Sequence, residues 1–143
     1  MTKKTVTTRS DRKPSTSRAR TSTTAAKLTE FPKFMRKKCN AVKMTRQAGG
    51  LQGYVFEGND GTQIVFWQGT QGGTSVMHTH DYDEYAIVVQ GTFTGTVGGK
   101  KVTLKAGDEC FIPAGVPHDG TYSENYRAID AFGGRRVARA SEA

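Results

Sequence analysis

The chain has 143 residues, a hydrophobic fraction of 35% and a formal net charge of +8. That length suits one domain with a usable core and excludes two ordinary ones, while so low an apolar fraction predicts that part of the chain stays outside the core. No apolar run approaches a membrane span and the N-terminus lacks the apolar centre of a secretory signal, so a soluble, cytoplasmic protein is expected.

The charge is unevenly placed. Residues 1–27 carry eight bases against Asp11, a net +7; residues 28–46 carry six bases against Glu30, +5; the remainder carries seven bases against eleven acids, −4. The first stretch is mostly Thr, Ser, Arg and Lys and has too few apolar side chains to offset the entropy of ordering, which predicts a disordered basic tail over 1–27. Such a tail solubilises. It also suits counterion-release binding to nucleic acid or an anionic surface, and its Arg/Ser balance fits an organelle transit peptide, although no apolar helical face accompanies it. Residues 28–48 follow as a basic arm or short helix starting near Pro32, with Phe31, Phe34 and Met35 as anchors onto the domain.

From Gly49 the texture changes to short β-prone runs divided by glycines: YVFEG, QIVFWQG, EYAIVVQG, TFTGTVGG, KVTLKAGD, CFIPAG and YRAIDAFGG. Their spacing predicts an all-β sandwich or barrel over 49–134, followed by a short C-terminal tail over 135–143. Period-two alternation puts Phe66 and Trp67 on opposite faces, and likewise Arg127 and Asp130, so at most one of each pair points inward. Cys39 and Cys110 lie far apart outside any C-x-x-C pattern and read as small hydrophobes of a reducing compartment, Cys110 as core packing.

The stretch HTHDYDE holds two of the three histidines. On a strand, His78 and His80 face the same way, so two imidazoles converge on one volume suited to a shared metal ion; Glu84 has the same parity. The third, His118, follows a turn fixed by Pro113, Gly115 and Pro117. An H-x-H pair alone is as often structural as metal-binding, and the spacing around it decides. Five residues separate Gly72 from His78, one His78 from His80, three His80 from Glu84 and six Glu84 from Gly91. Downstream, five separate Gly107 from Pro113, one Pro113 from Gly115 and two Gly115 from His118.

Both strings match the two signature motifs of the cupin family, so the chain resembles a small single-domain cupin over roughly residues 50–132. One position departs: the second motif often has Asn four residues after its histidine, and here it is Tyr122. The resemblance implies an antiparallel double-sheet barrel (jelly roll) of six to eight strands, commonly a homodimer. It also implies one divalent transition metal per chain (Mn, Fe, Co, Ni, Cu or Zn) held by His78, His80, Glu84 and His118. By parity, Ala86 and Val88 continue the Glu84 face as a small apolar wall, and Tyr85, Ile87 and Val89 face outward or into a subunit contact. Glu84, Tyr82 and Asp130 are the catalytic candidates, with Tyr122 as a further hydrogen-bond donor. The function expected is a metal-dependent small-molecule enzyme of dioxygenase, isomerase or lyase type, acting on an oxygen-rich, metal-chelating substrate. The alternative is a non-catalytic cupin that binds or senses a small ligand, its basic tail engaging nucleic acid or an anionic surface.

Overall fold

A computed structural model describes residues 27–43 and 50–142, so the predicted basic tail lies outside the described residues except for Lys27. Nine strands are present among the described residues: β1 (Gln52–Glu57), β2 (Gln63–Gly69), β3 (Gly73–His78), β4 (Glu84–Gln90), β5 (Thr92–Val97), β6 (Lys100–Lys105), β7 (Glu109–Ile112), β8 (His118–Tyr122) and β9 (Tyr126–Phe132). They form two antiparallel sheets in the orders β1-β2-β9-β4-β7 and β3-β8-β5-β6. This is the double-sheet all-β architecture expected, with nine strands instead of six to eight. The seven apolar runs correspond to seven of these strands. The two they omit are β3, GTSVMH, and β8, HDGTY, whose polar composition carries little β signal.

Local chemistry explains the turns and the alternation. Val97 pairs with Lys100 across Gly98 and Gly99, whose φ angles of 56° and 77° suit the two-residue hairpin that matches strand twist. Val55, Val65 and Val88 are fully buried between the sheets, in one cluster with Trp67, Ala128 and Phe132. Trp67 takes the inward position that parity allowed to one of the pair. Phe66 packs outside, edge-to-face with Phe31 and Phe56 at 5.5 Å each.

The arm over 28–43 forms two 3₁₀ turns, Lys33–Met35 and Lys38–Asn40, in place of an α-helix. Phe31 anchors it: the ring is buried under the Arg127 guanidinium, 5.2 Å from the centroid, and its backbone N–H donates to Gln68 Oε1 at 3.0 Å. Phe34 does not anchor, being 69% exposed. Pro32, extended at ψ 152°, stands between the two phenylalanines and sends them apart.

The outer faces of the two sheets differ in kind. Across the five-stranded sheet, Phe56, Ile64, Ala131, Tyr85 and Phe111 lie in one register row, and Tyr54, Phe66, Ile129, Ile87 and Glu109 in the next. Phe56, Ile64, Tyr85 and Phe111 are exposed, Phe111 by 59%. Across the four-stranded sheet the corresponding row is Thr74, Thr121, Thr94 and Thr103, all exposed. Tyr85 and Ile87 thus face outward as parity requires. A register shift between Val88 and Gln90 places Gln90 opposite Arg127, whose Nε donates to Gln90 Oε1 at 3.2 Å.

Beyond β9, residues 133–142 run back over one end of the barrel as a strap. It bridges Val42 through Arg139, with Lys43 N–H donating to Ala138 O at 2.9 Å and Ala140 N–H to Ala41 O at 2.7 Å.

Candidate metal centre

His78 ends β3, His118 opens β8 directly opposite it, and Glu84 opens β4 in the other sheet. His80 lies in the loop after β3, so its convergence with His78 does not come from strand alternation. A backbone device replaces it: His80 Nδ1 donates to Tyr82 O at 2.6 Å, and the Tyr82 ring stacks on the imidazole at 4.5 Å between centroids. The other two histidines use the same device, His78 Nδ1 donating to Val76 O at 2.8 Å and His118 Nδ1 to Val116 O at 2.9 Å.

A carbonyl oxygen can only accept, so each Nδ1 carries a proton and, in a neutral ring, each Nε2 presents a lone pair. The three histidines bring their ligand atoms within 4.8 Å of one another. His80 Nε2 lies 2.8 Å from Glu84 Oε2, and the same oxygen lies 3.4 Å from His118 Nε2. The latter nitrogen is buried and makes no hydrogen bond. Lone pairs converging on a carboxylate repel unless a proton or a cation stands between them. Three neutral imidazoles and one carboxylate, with a buried orphaned nitrogen at their centre, fit a first-row divalent ion.

Protons can stand in for a cation here: burial pushes the Glu84 carboxyl up, yet the imidazoles of His118 and His80, when protonated, outweigh it and hold the group below the ordinary carboxylate value. Burial also pulls His118 down, and the neighbouring carboxylate and the Val116 carbonyl reverse that and raise it. His78 is lowered by burial and by the positive charge of Arg136.

A cavity of about 230 Å³ lies beside the cluster. Ala86 and Val88 line it as the parity argument required, and Cys110, half-buried, lines it opposite Ala86 and not within the ligand cluster. Asp130 and Tyr122 also line it; Tyr82 does not, being occupied against the His80 ring. Arg127 points outward against Phe31, so of the β9 pair it is Asp130 that faces in. Burial raises the Asp130 carboxyl well above its ordinary range, helped by the Glu84 charge and opposed by the indole N–H of Trp67. Burial and the Asp130 charge push the Tyr122 hydroxyl up to about 12.

Sequence reasoning missed Arg136. It reaches in from the strap, Nη2 donating to His78 Nε2 at 3.2 Å, and it lines the cavity with Lys43. A terminal basic residue carries no local signal of such a role, because the strap's path depends on contacts with residues 41–43 and 63.

A carboxyl raised by burial has a defined consequence for stability. Folded Asp130 holds its proton above the ordinary value of 3.8, whereas the unfolded side chain releases it, so this group lowers stability as pH rises from about 4 through the folded value. Asp130→Asn removes that titration while keeping an acceptor for the Trp67 N–H. Thermal melts of metal-free protein should find the variant more stable than wild type at about pH 7, with the gap closing towards pH 4. A wild type at least as stable as the variant at neutral pH would contradict this.

The comparisons with known proteins agree with this architecture. A family model described as a cupin domain matches residues 65–129. Among solved structures, a protein titled KdgF from Halomonas sp. is 24% identical with a TM-score of 0.58, over 67% of this chain and 86% of that one. An RmlC-like cupin from Shewanella frigidimarina is 26% identical with a TM-score of 0.57, over 72% and 87%. A predicted oxalate decarboxylase from Thermotoga maritima shares the fold at 19% identity and a TM-score of 0.56, over 66% and 91%. No curated protein matches.

An antiparallel double-sheet barrel with a histidine cluster inside one end defines the class. The chain is a small protein of the cupin superfamily.

Proposed function

We propose that the protein is a metal-dependent enzyme acting on a small, oxygen-rich anion that chelates the metal. The observation that carries this reading is the orphaned, buried His118 Nε2 among lone pairs at the wall of a cavity. His78, His80, Glu84 and His118 would hold the ion, which when bound supplies Lewis acidity towards a carbonyl or hydroxyl oxygen. The chain's own residues do the rest. Arg136 and Lys43 offer positive charge to a carboxylate in the cavity. Asp130, whose carboxyl burial raises, can deliver a proton to an oxygen placed beside Trp67 and Tyr122. Ala86 and Val88 leave room for the ligand, and the Tyr82 stack fixes the orientation of His80.

The test is spectroscopic. After substitution with Co(II), bidentate oxygen ligands such as 2-keto acids are expected to change the visible spectrum, and Glu84→Gln to keep the fold, weaken metal binding and abolish turnover. A spectrum indifferent to every chelator, with Glu84→Gln equal to wild type, would leave a closed structural site and favour a binding module.

We also propose that the five-stranded sheet packs on a second copy of the chain. Its two apolar register rows contrast with the threonine row of the other sheet, which is suited to water. Light scattering should report a dimer at micromolar concentration. Tyr85→Lys with Phe111→Lys is expected to weaken it by about 30-fold or more, as loss of an aromatic anchor does. A wild-type monomer would refute the proposal.

A further inference from the structure

We infer that Gln63 is the positioning residue that sets Arg136 in the cavity; the inference rests on the proposal that Arg136 meets an anionic ligand there. Gln63 opens β2 and is 2% exposed, so its amide is costly unless every polar atom is bonded. All are. Its Oε1 accepts from the backbone N–H of Arg136 at 2.7 Å and of Val137 at 3.0 Å. Its Nε2 donates to Val137 O at 2.9 Å and reaches Glu57 Oε1 at 3.5 Å.

These bonds are not needed for β2 itself, whose backbone at Gln63 already pairs with Glu57 on one side and Phe132 on the other. They serve the strap. Arg136 and Val137 lie outside any strand, and two successive N–H groups there would otherwise lack partners at the barrel mouth. The amide stands in for a missing neighbouring strand over two residues.

The consequence falls on Arg136. A guanidinium on a long flexible side chain reaches a fixed point only if its own Cα is held, and here its Nη2 stops 3.2 Å from His78 Nε2. The remaining strap contacts lie on either side of it: Gly133 N–H donates to Asp83 O at 2.9 Å and Arg135 Nε stands 4.0 Å from Glu57 before it, and Ala138, Arg139 and Ala140 are held after it. Among the described residues, Gln63 is the one that bonds the backbone of the residue that carries the charge. Removing the amide therefore frees the strap locally without touching His78, His80, Glu84 or His118.

The experiment uses the full chain loaded with Co(II) and two probes, pyruvate as a chelating anion and imidazole as a neutral metal ligand. Gln63→Leu and Arg136→Ala are each expected to weaken pyruvate by about tenfold or more, the size of a lost charged hydrogen bond, with imidazole within about twofold of wild type. The double variant should be no weaker than Arg136→Ala alone, because the two act through one contact. Cobalt content should stay at the wild-type level. If Gln63→Leu fails to fold, Gln63→Met, which keeps the length of the side chain and loses the amide, replaces it, and amide exchange in metal-free wild type gives a second measurement: the Arg136 and Val137 amides should exchange slowly. Fast exchange there, unchanged pyruvate affinity in the Gln63 variant, or additive losses would each overturn the inference. Wild-type protein that takes up cobalt and binds imidazole but not pyruvate would instead overturn the anion-site proposal and this inference with it.

Discussion

Replacing His118 with alanine is expected to strip the protein of metal, lowering content from about one ion per chain to a small fraction, with an affinity loss of about 100-fold or more; loss even of a hydrogen-bonding partner behind a ligand costs 10–100-fold. His118 is the one buried residue of the three histidines, and its Nε2 is the buried nitrogen without a hydrogen bond. His80→Ala should match it, since His80 Nε2 and His118 Nε2 flank the same Glu84 oxygen. Elemental analysis after reconstitution and desalting measures both. Full metal content in either variant would place the ion elsewhere, and a metal-free wild type after reconstitution would remove the site altogether.

Gly95→Ala is expected to be the most damaging single methyl in the barrel. Gly95 of β5 pairs with Gly120 of β8, and a Cβ at Gly95 would lie 2.0 Å from Asp119 O and 2.8 Å from Gly120 Cα. Both obstacles are backbone, so no side-chain rotation relieves them and the strands must part. The pair exists because the Phe93 ring covers Gly120, where a Cβ would meet it at 2.2 Å. That ring in turn lines the cavity. A cost of about 3 kcal/mol or more follows, a large share of the 5–15 kcal/mol typical of a domain. Thr94→Ala, one residue away on the exposed face, should stay within about 0.5 kcal/mol. Urea unfolding of the two variants gives the comparison, and equal midpoints would contradict it.

The clustering of His78, His80, Glu84 and His118 was legible because spacing, which needs no structure, carried it; the path to it was not. His80 proved to be a loop residue whose direction comes from the Tyr82 carbonyl, a bond that strand alternation does not foresee. Seven strands announced themselves through apolar runs, whereas β3 and β8, which hold His78 and His118, are polar strands of the smaller sheet. Alternation placed Ala86 on the cavity face and let only one of Phe66 and Trp67, and one of Arg127 and Asp130, point inward without choosing between them, and it did not foresee the bulge between Val88 and Gln90. Arg136 and Gln63 stayed hidden because they meet only through a segment that returns across the whole barrel, 73 residues away in sequence.

The last strand in the chain, β9, sits at the centre of the larger sheet between β2 and β4. During synthesis, every strand before it can be complete while those two neighbours still present unzipped edges, the kind of surface on which chains adhere to one another. Closure waits for β9 to emerge, and β2 must then find partners 57 to 69 positions downstream, a pairing of the slow, non-local sort. A premature stop anywhere upstream of Tyr126 yields no half-barrel, because the piece that is lost is the one to which both halves of the sheet are joined.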